Sequence, residues 1–376
     1  MTSSISGSIA GCKRCTGCKP CTRCKHALAA AQHVAHVPVA PAAPLAPLAP
    51  LAPLVPGFRV LFRAAAGPRR GYGHLLRCRS LARALGVRPL LSVRGRRASA
   101  DVALRLGCDV VFGTAFRLLR QLDVDVLIVD DPVEAAAGTW VETAQRLGIA
   151  VASIHDLGIG CPDADLLIDG SITRSIQSAT RRVASGPKFA IVDPDLVAAA
   201  APADVRKDVV VSLGGGPRAS VACEIAGEIA RRAPQVRVRV IGGFVSPRPP
   251  KAREDAPRNV VWVGPSTNLA RELGQALVAV VGGGVSLYEA CALGTPAVGV
   301  AVVRGQRPTV AGFIARGAAL GHRRHRIIPR RVADEALALL GQKRLRQIIA
   351  RRARRLIDGH GARRAAHAIA RLVQGS

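Results

Sequence analysis

Twice in the second half of this chain, a run of small aliphatic residues ends abruptly in three glycines. Val209-Val210-Val211 leads through Ser212 and Leu213 to Gly214-Gly215-Gly216, and Val278 to Val281 leads directly to Gly282-Gly283-Gly284. Short apolar runs without polar alternation suit strands buried on both faces of a parallel sheet. A helix-compatible segment follows each loop, over 220–232 and 286–293. Strand, glycine turn and helix in that order build βαβ units. Composition points the same way. Hydrophobic residues make up 49% of the chain but aromatics only 3%, so its cores must be filled by Ala, Val, Leu and Ile.

The same alternation runs through the first half. Strands are predicted over 59–62, 89–93, 124–129, 150–154 and 166–169, with helices over 75–85, 98–106 and 140–147. The second set places strands over 208–213, 236–241, 260–263, 278–281 and 297–302, with a further helix over 269–273. The predicted architecture is α/β, with two Rossmann-like domains facing a cleft, over 58–203 and 204–328. Residues 329–376 read as basic helices, with Leu345, Ile348, Ile349 and Leu356 on one face and arginines opposite.

Residues 1–57 differ from the rest. Cys12, Cys15, Cys18, Cys21 and Cys24 recur at every third position, followed by an Ala-Pro-Leu tract from Pro38 to Pro56. Repeated proline holds an extended conformation without a core, so the segment reads as a disordered extension. The first three cysteines match part of a ferredoxin-type spacing, but the fourth is misplaced for it. A low-complexity arm is the reading preferred to a metal site.

The formal charge is +29, mostly from arginine scattered along the chain and densest from Arg323 to Arg364. Such a balance raises nucleic acid, anionic membrane surfaces and phosphorylated ligands as partners. No RNA-recognition, homeodomain or zinc-finger signature is present, and aromatic stacking residues are too few for a single-strand platform. The long apolar stretch 276–303 is broken by glycines, Glu289 and Thr295-Pro296, so it does not read as a membrane span. With no apolar signal region at the N-terminus, a cytoplasmic location is expected.

Gly71-Tyr72-Gly73-His74 stands between the strand at 60–62 and the helix at 75–85. Glycines allow a tight turn and close approach to a ligand. A helix N-terminus presents N–H groups to an anion, and a histidine there can act as a base near neutral pH. The alternative is a histidine that only caps the helix. The loop 282–284 invites a diphosphate in the same way, with Ser286 opening the next helix. Glu289, one turn in, can accept both ribose hydroxyls or can simply favour the helix N-terminus. Asp130, Asp131, His155 and Asp156 stand at strand ends lining the expected cleft. A structural role is the default for each, and Asp131 is the best secondary catalytic candidate.

At the level of motifs the chain resembles a known family. Arg63, G-Y-G-H-L-L-R-C-R-S-L-A-R-A-L from Gly71, S-L-G-G-G-P from Ser212, G-G-G-V-S-L-Y-E-A-C-A-L-G-T-P from Gly282, Gln306, and D-G-H-G-A-R-R-A-A from Asp358 occur in order. Together they resemble the pseudaminic-acid-pathway UDP-sugar hydrolases and the related spore-coat polysaccharide proteins. Those proteins have the GT-B fold, shared more distantly with the peptidoglycan lipid II glycosyltransferase. The resemblance implies His74 as catalytic base and Glu289 on the ribose. It implies Gly71, Gly73, Gly214, Gly215, Gly282, Gly283, Gly284, Ser286 and Gln306 around a UDP-sugar, with neither cofactor nor metal. It places hydrolysis of a UDP-sugar first. Transfer from a UDP-sugar by a GT-B glycosyltransferase is the alternative, with the basic C-terminal face docking on anionic lipid. A non-catalytic RNA binder is the third reading. The chain departs from the family at Ala64-Ala65-Ala66 and at Asp131-Pro132, positions that touch sugar recognition more than UDP binding.

Overall fold

The computed structural model describes residues 58–68, 70–173, 176–214, 218–244, 257–265, 269–322 and 326–374. The cysteine run, the proline-rich tract and Gly215 therefore lie outside the described residues.

The first sheet has seven parallel strands: β1 (Val60–Ala65), β2 (Leu90–Arg94), β3 (Asp109–Val110), β4 (Val126–Asp130), β5 (Ala150–His155), β6 (Leu166–Asp169) and β7 (Arg182–Ser185). Their order is β3-β2-β1-β4-β5-β6-β7. Helices α1 (Gly73–Leu85), α2 (Arg97–Arg105), α3 (Ala115–Gln121) and α4 (Glu134–Arg146) connect the first five strands. Side chains alternate across the sheet as strand geometry requires. Val60, Phe62 and Ala64 enter one core with Leu75 and Leu81 of α1 and Val102 of α2. Leu61, Leu127 and Val129 enter the other with Leu119 of α3 and Trp140 of α4.

The second sheet is also parallel, ordered β10-β9-β8-β11-β12-β13. Its strands are β8 (Asp208–Ser212), β9 (Val238–Gly242), β10 (Val260–Pro265), β11 (Ala276–Gly282), β12 (Ala297–Val300) and β13 (Leu320–His322). The helices are α5 (Ala219–Arg232), α6 (Leu269–Gln275), α7 (Val285–Ala292), α8 (Arg307–Ala315), α9 (Pro329–Gly341), α10 (Lys343–Leu356) and α11 (Gly361–Gln374). Val209, Val211, Val278 and Val280 pack against α5 and α9, while Val210, Ala279 and Val281 pack against α7 and α8. No helix among the described residues is long and apolar enough to cross a membrane.

The basic C-terminal helices do not form a body of their own. α9 and α10 cover the second sheet, but α11 returns to the first. Ala362, Ala365, Ala366, Ile369 and Leu372 of α11 are buried in the core that holds Phe62 and Leu75. The D-G-H-G sequence is the joint. Asp358 accepts from the His360 N–H at 3.1 Å, from Arg364 at 2.8 and 2.7 Å, and from Lys188 at 3.1 Å. Burial pushes this carboxyl up, but its hydrogen bonds outweigh burial and hold it well below the usual carboxylate range. A Cβ at Gly361 would collide with the Ala190 backbone, so the entry to α11 requires glycine. Ile369 is fully buried. Ile369→Ala is expected to destabilise the fold by about 2–5 kcal/mol, read as a lower urea midpoint. An unchanged midpoint would mean that α11 is not part of this core.

Candidate functional site

In each sheet the strand order reverses between two neighbours, β1 and β4 in the first and β8 and β11 in the second. Ligands of doubly wound sheets bind in the crevice at the carboxyl ends of such strands. The loops after β1, β4, β8 and β11 carry most of the residues singled out in the sequence.

After β1 the chain turns through Gly71, whose φ of +86° is left-handed, and enters α1 at Gly73. A Cβ at Gly73 would stand 3.2 Å from Val285 Cγ2, so the first turns of α1 and α7 abut. His74 is therefore presented where the two sheets face each other. Its Nδ1 lies 2.7 Å from Asp130 Oδ1, at the end of β4. Arg77, one turn further along α1, donates Nε–H to Asp130 Oδ2 at 3.0 Å and Nη2–H to Oδ1 at 2.7 Å.

This cluster fixes the histidine's tautomer. Burial pushes the Asp130 carboxyl up, but Arg77 and His74 outweigh burial and hold it down at about 2. Asp130 is thus an acceptor only, and His74 Nδ1 must carry a proton toward it. Arg77 Nη2 also approaches Nδ1, at 2.9 Å. Two donors cannot bond each other, so that approach is two N–H groups sharing Oδ1. The Nε2 lone pair is left for a substrate proton. His74 and Arg77 retain 12% and 13% side-chain exposure, against 1% for Asp130, so the carboxylate is sealed and both of its partners remain reachable.

Asp131 is placed differently. Its carboxylate is engaged by both Nε and Nη2 of Arg94, and its Oδ1 also accepts the Val133 N–H at 3.0 Å. Successive residues leave a strand end in opposite directions, and here Asp130, not Asp131, meets the histidine. Asp131 holds the turn that leads into α4 and ties the end of β2 to that of β4. From sequence, Asp130 has a structural role by default and Arg77 has no assigned role. The available signal was an aspartate closing the most aliphatic strand of the first half.

Around α7 several expected residues converge. Gly282 closes β11, and Gly284 is the residue before the helix, with no side chain capping the N–H groups that follow. A Cβ at Gly283 would stand 2.5 Å from Val310 Cγ2, and one at Gly284 3.2 Å from Gln306 Nε2. Gln306 therefore lies over the glycine loop, its Oε1 accepting the Val302 N–H at 3.1 Å. Ser286 sits half-buried in the first turn. Gly214, with φ +89°, turns the chain after β8 beside this loop. The far end of α7 is compensated by two arginines. Arg206 donates to the Leu293 and Gly294 carbonyls at 3.2 and 3.4 Å, and Arg354 to Leu293 at 3.0 Å. Cations at the C-terminus leave the positive N-terminal end facing the cleft unopposed.

Glu289 is 7% exposed, and its Oε2 has no hydrogen-bond partner among the described residues. Burial raises its carboxyl to about 7, Asp193 adds to the rise and Arg79 opposes it. A buried carboxylate oxygen without a donor calls for a ligand or water to satisfy it. No three His, Cys, Asp or Glu side chains converge as a metal site would require among the described residues.

Two parallel Rossmann-like sheets meeting at facing switch points define the GT-B architecture. The chain is 25% identical over 325 residues to spore coat polysaccharide biosynthesis protein SpsG of Bacillus subtilis (strain 168), a match covering 79% of this chain and 94% of that protein. Among solved structures it is similar to the glycotransferase of kitacinnamycin, with a TM-score of 0.59 and 17% identity over 84% of this chain and all of that one (100%). It is also similar to the UDP-GlcNAc 2-epimerase from Neisseria meningitidis bound to UDP-GlcNAc, with a TM-score of 0.56 and 12% identity over 85% of this chain and 100% of the other. No protein-family profile matches the chain.

Proposed function

We propose that this protein is an enzyme that transfers a sugar from a UDP-sugar to an acceptor hydroxyl during assembly of a surface polysaccharide. The observation that carries the reading is the His74–Asp130 contact of 2.7 Å beside the N-terminus of α7. It supports a base on α1 whose helix start abuts the start of α7, where a diphosphate would rest.

The chemistry follows from that placement. His74 Nε2 takes the acceptor proton as the acceptor oxygen bonds to the anomeric carbon. The bond from that carbon to the diphosphate oxygen breaks, and its electron pair leaves with UDP. Asp130 stabilises the imidazolium formed. The glycine loop 282–284 and the opening N–H groups of α7 receive the growing charge on the diphosphate. Glu289 accepts the ribose hydroxyls, and Gly71, Gly73, Gly214, Ser286 and Gln306 line the approach.

Water in place of the acceptor would make the same machinery a hydrolase, the reading that the sequence motifs put first. The names of SpsG, a polysaccharide biosynthesis protein, and of the kitacinnamycin glycotransferase favour transfer. The test is UDP release from a panel of UDP-sugars with and without acceptor saccharides. Release that requires an acceptor supports transfer. Release into water alone restores hydrolysis, and no release from any member rejects both.

The basic face belongs to the same proposal. α10 carries Lys343, Arg344, Arg346, Arg351, Arg352, Arg354 and Arg355 and no acidic residue. Arg346 and Arg354 are committed to backbone carbonyls, while Lys343, Arg344, Arg351 and Arg355 are exposed. An anionic leaflet would complement them. Co-sedimentation with phosphatidylglycerol vesicles, lost in R344E/R351E/R355E, is the expected result.

A further inference from the structure

β5 runs into a turn with an unusual backbone. Leu157 and Gly158 have φ of +56° and +78°, both left-handed. Asp156 and Ile159 close the turn with paired backbone hydrogen bonds of 2.9 and 3.0 Å. Two successive left-handed residues suit Asn-Gly or Gly-Gly, and leucine in the first place is disfavoured. Such conformations persist only where the surroundings over-determine them, and they cluster at functional sites.

The surroundings here do so. Asp169, at the end of β6, is fully buried, and its carboxylate accepts the Gly158 and Ser171 N–H groups at 2.8 Å each. The Ser171 hydroxyl donates to the same carboxylate and accepts the Leu157 N–H at 2.7 Å. Both left-handed N–H groups are thereby anchored. Beneath them the His155 ring fills the space at Gly160, where a Cβ would stand 2.6 Å away.

What this anchoring fixes in space is Asp156. Its carboxylate lies 3.5 Å from Arg77 Nη1, on the guanidinium that also holds Asp130 and touches His74. Asp156 retains 53% side-chain exposure, which makes it the open carboxylate of an otherwise buried cluster. Next to Ser171 in the chain, the Ile172 N–H donates to the hydroxyl of Tyr288 of α7 at 3.2 Å. Burial raises the Tyr288 phenol, and the charges of Asp156 and Asp169 add to the rise. Asp156 therefore stands at the open rim of the cluster that holds the base, and its charge reaches a side chain of the helix assigned to the nucleotide.

We propose that Asp156 contacts the sugar of the nucleotide-sugar substrate, its carboxylate accepting hydrogen bonds from ring hydroxyl or amide N–H groups. Asp169 and Ser171 are positioning residues for it. The inference rests on the nucleotide-sugar reading above.

The test compares UDP with the UDP-sugar of the panel that releases UDP fastest, titrated calorimetrically into the full chain and its Asp156→Asn variant. The variant is expected to bind the UDP-sugar about tenfold or more weakly while UDP affinity stays within about twofold. In turnover the loss appears mainly in KM. Equal weakening of both ligands, or of neither, overturns the assignment. So does a fall in kcat with KM unchanged, which is the signature of a carboxylate acting only through Arg77 on His74. If the wild type binds UDP but gains nothing from the sugar, this inference alone fails. If it binds neither ligand, the nucleotide-sugar reading fails and takes this inference with it.

Discussion

His74→Ala is expected to lower kcat by a factor of about 10²–10⁴ while UDP binds as before. The two effects separate because the base and the nucleotide are held by different sheets. His74 is presented by α1, behind β1, whereas the glycine loop and Glu289 belong to β11 and α7. Asp130→Asn should act in the same direction. An amide at the end of β4 can offer Nδ1 an N–H donor instead of an acceptor, which favours the wrong tautomer. Single-turnover rates beside UDP titrations check both variants. Wild-type rates in His74→Ala would remove the base from the mechanism, and lost UDP affinity would mean that the histidine only supports the nucleotide site.

Glu289→Gln is expected to weaken UDP by about tenfold or more and, at pH 8, to raise the melting temperature. Hydrogen bonds to an ionised group are worth about 1.5–3 kcal/mol, and two ribose hydroxyls would lose that acceptor. The stability effect has the opposite sign. The folded-state value of about 7 stands above the ordinary glutamate value of 4.5. The unfolded chain therefore releases this proton more readily, and stability falls as pH rises from about 4.5, the full cost standing above about 7. That cost is at most about 3 kcal/mol, and glutamine removes it. At pH 4 the two proteins should melt together. UDP affinity of the wild type should rise with pH up to about 7 and then level. Melting curves at both pH values and UDP titrations across the range check the account, and a variant that binds UDP normally would take Glu289 off the ribose.

Much of the fold was legible because buried parallel strands are written as aliphatic runs. The strand at Val126–Asp130 and the strand at Ala276–Gly282 are buried along nearly their whole length, and nothing polar interrupts the pattern. Elements with little buried surface were not legible. The strand Asp109–Val110 has two residues, and the strand Arg182–Ser185 begins with exposed arginine and valine. Arg307–Ala315 carries Pro308 in its first turn and Gly312 in its middle, both marks of a loop in isolation. Gly312 is required because the helix presses on Ile172 and Thr173 of the first half, a contact that no local pattern records.

The site divides in the same way. The glycine loops, His74, Ser286 and Glu289 announce themselves through local spacing. The partners that give them chemistry come from distant chain. Asp130 reaches His74 from 56 residues away. Its neighbour Asp131 was the preferred candidate by sequence, and strand geometry alone decides which of the two meets the histidine. The turn at Asp156 was hidden because leucine at a left-handed position carries no sequence signal, and its anchor Asp169 lies one strand further on.

The most direct test of the account is a calorimetric titration of UDP into three full-length proteins, the wild type, His74→Ala and Glu289→Gln. UDP should bind the first two with equal affinity and the third about tenfold or more weakly, which would place the nucleotide on α7 and leave the base to the chemistry. Absence of UDP binding by the wild type, or equal binding by all three, would contradict the nucleotide site proposed here.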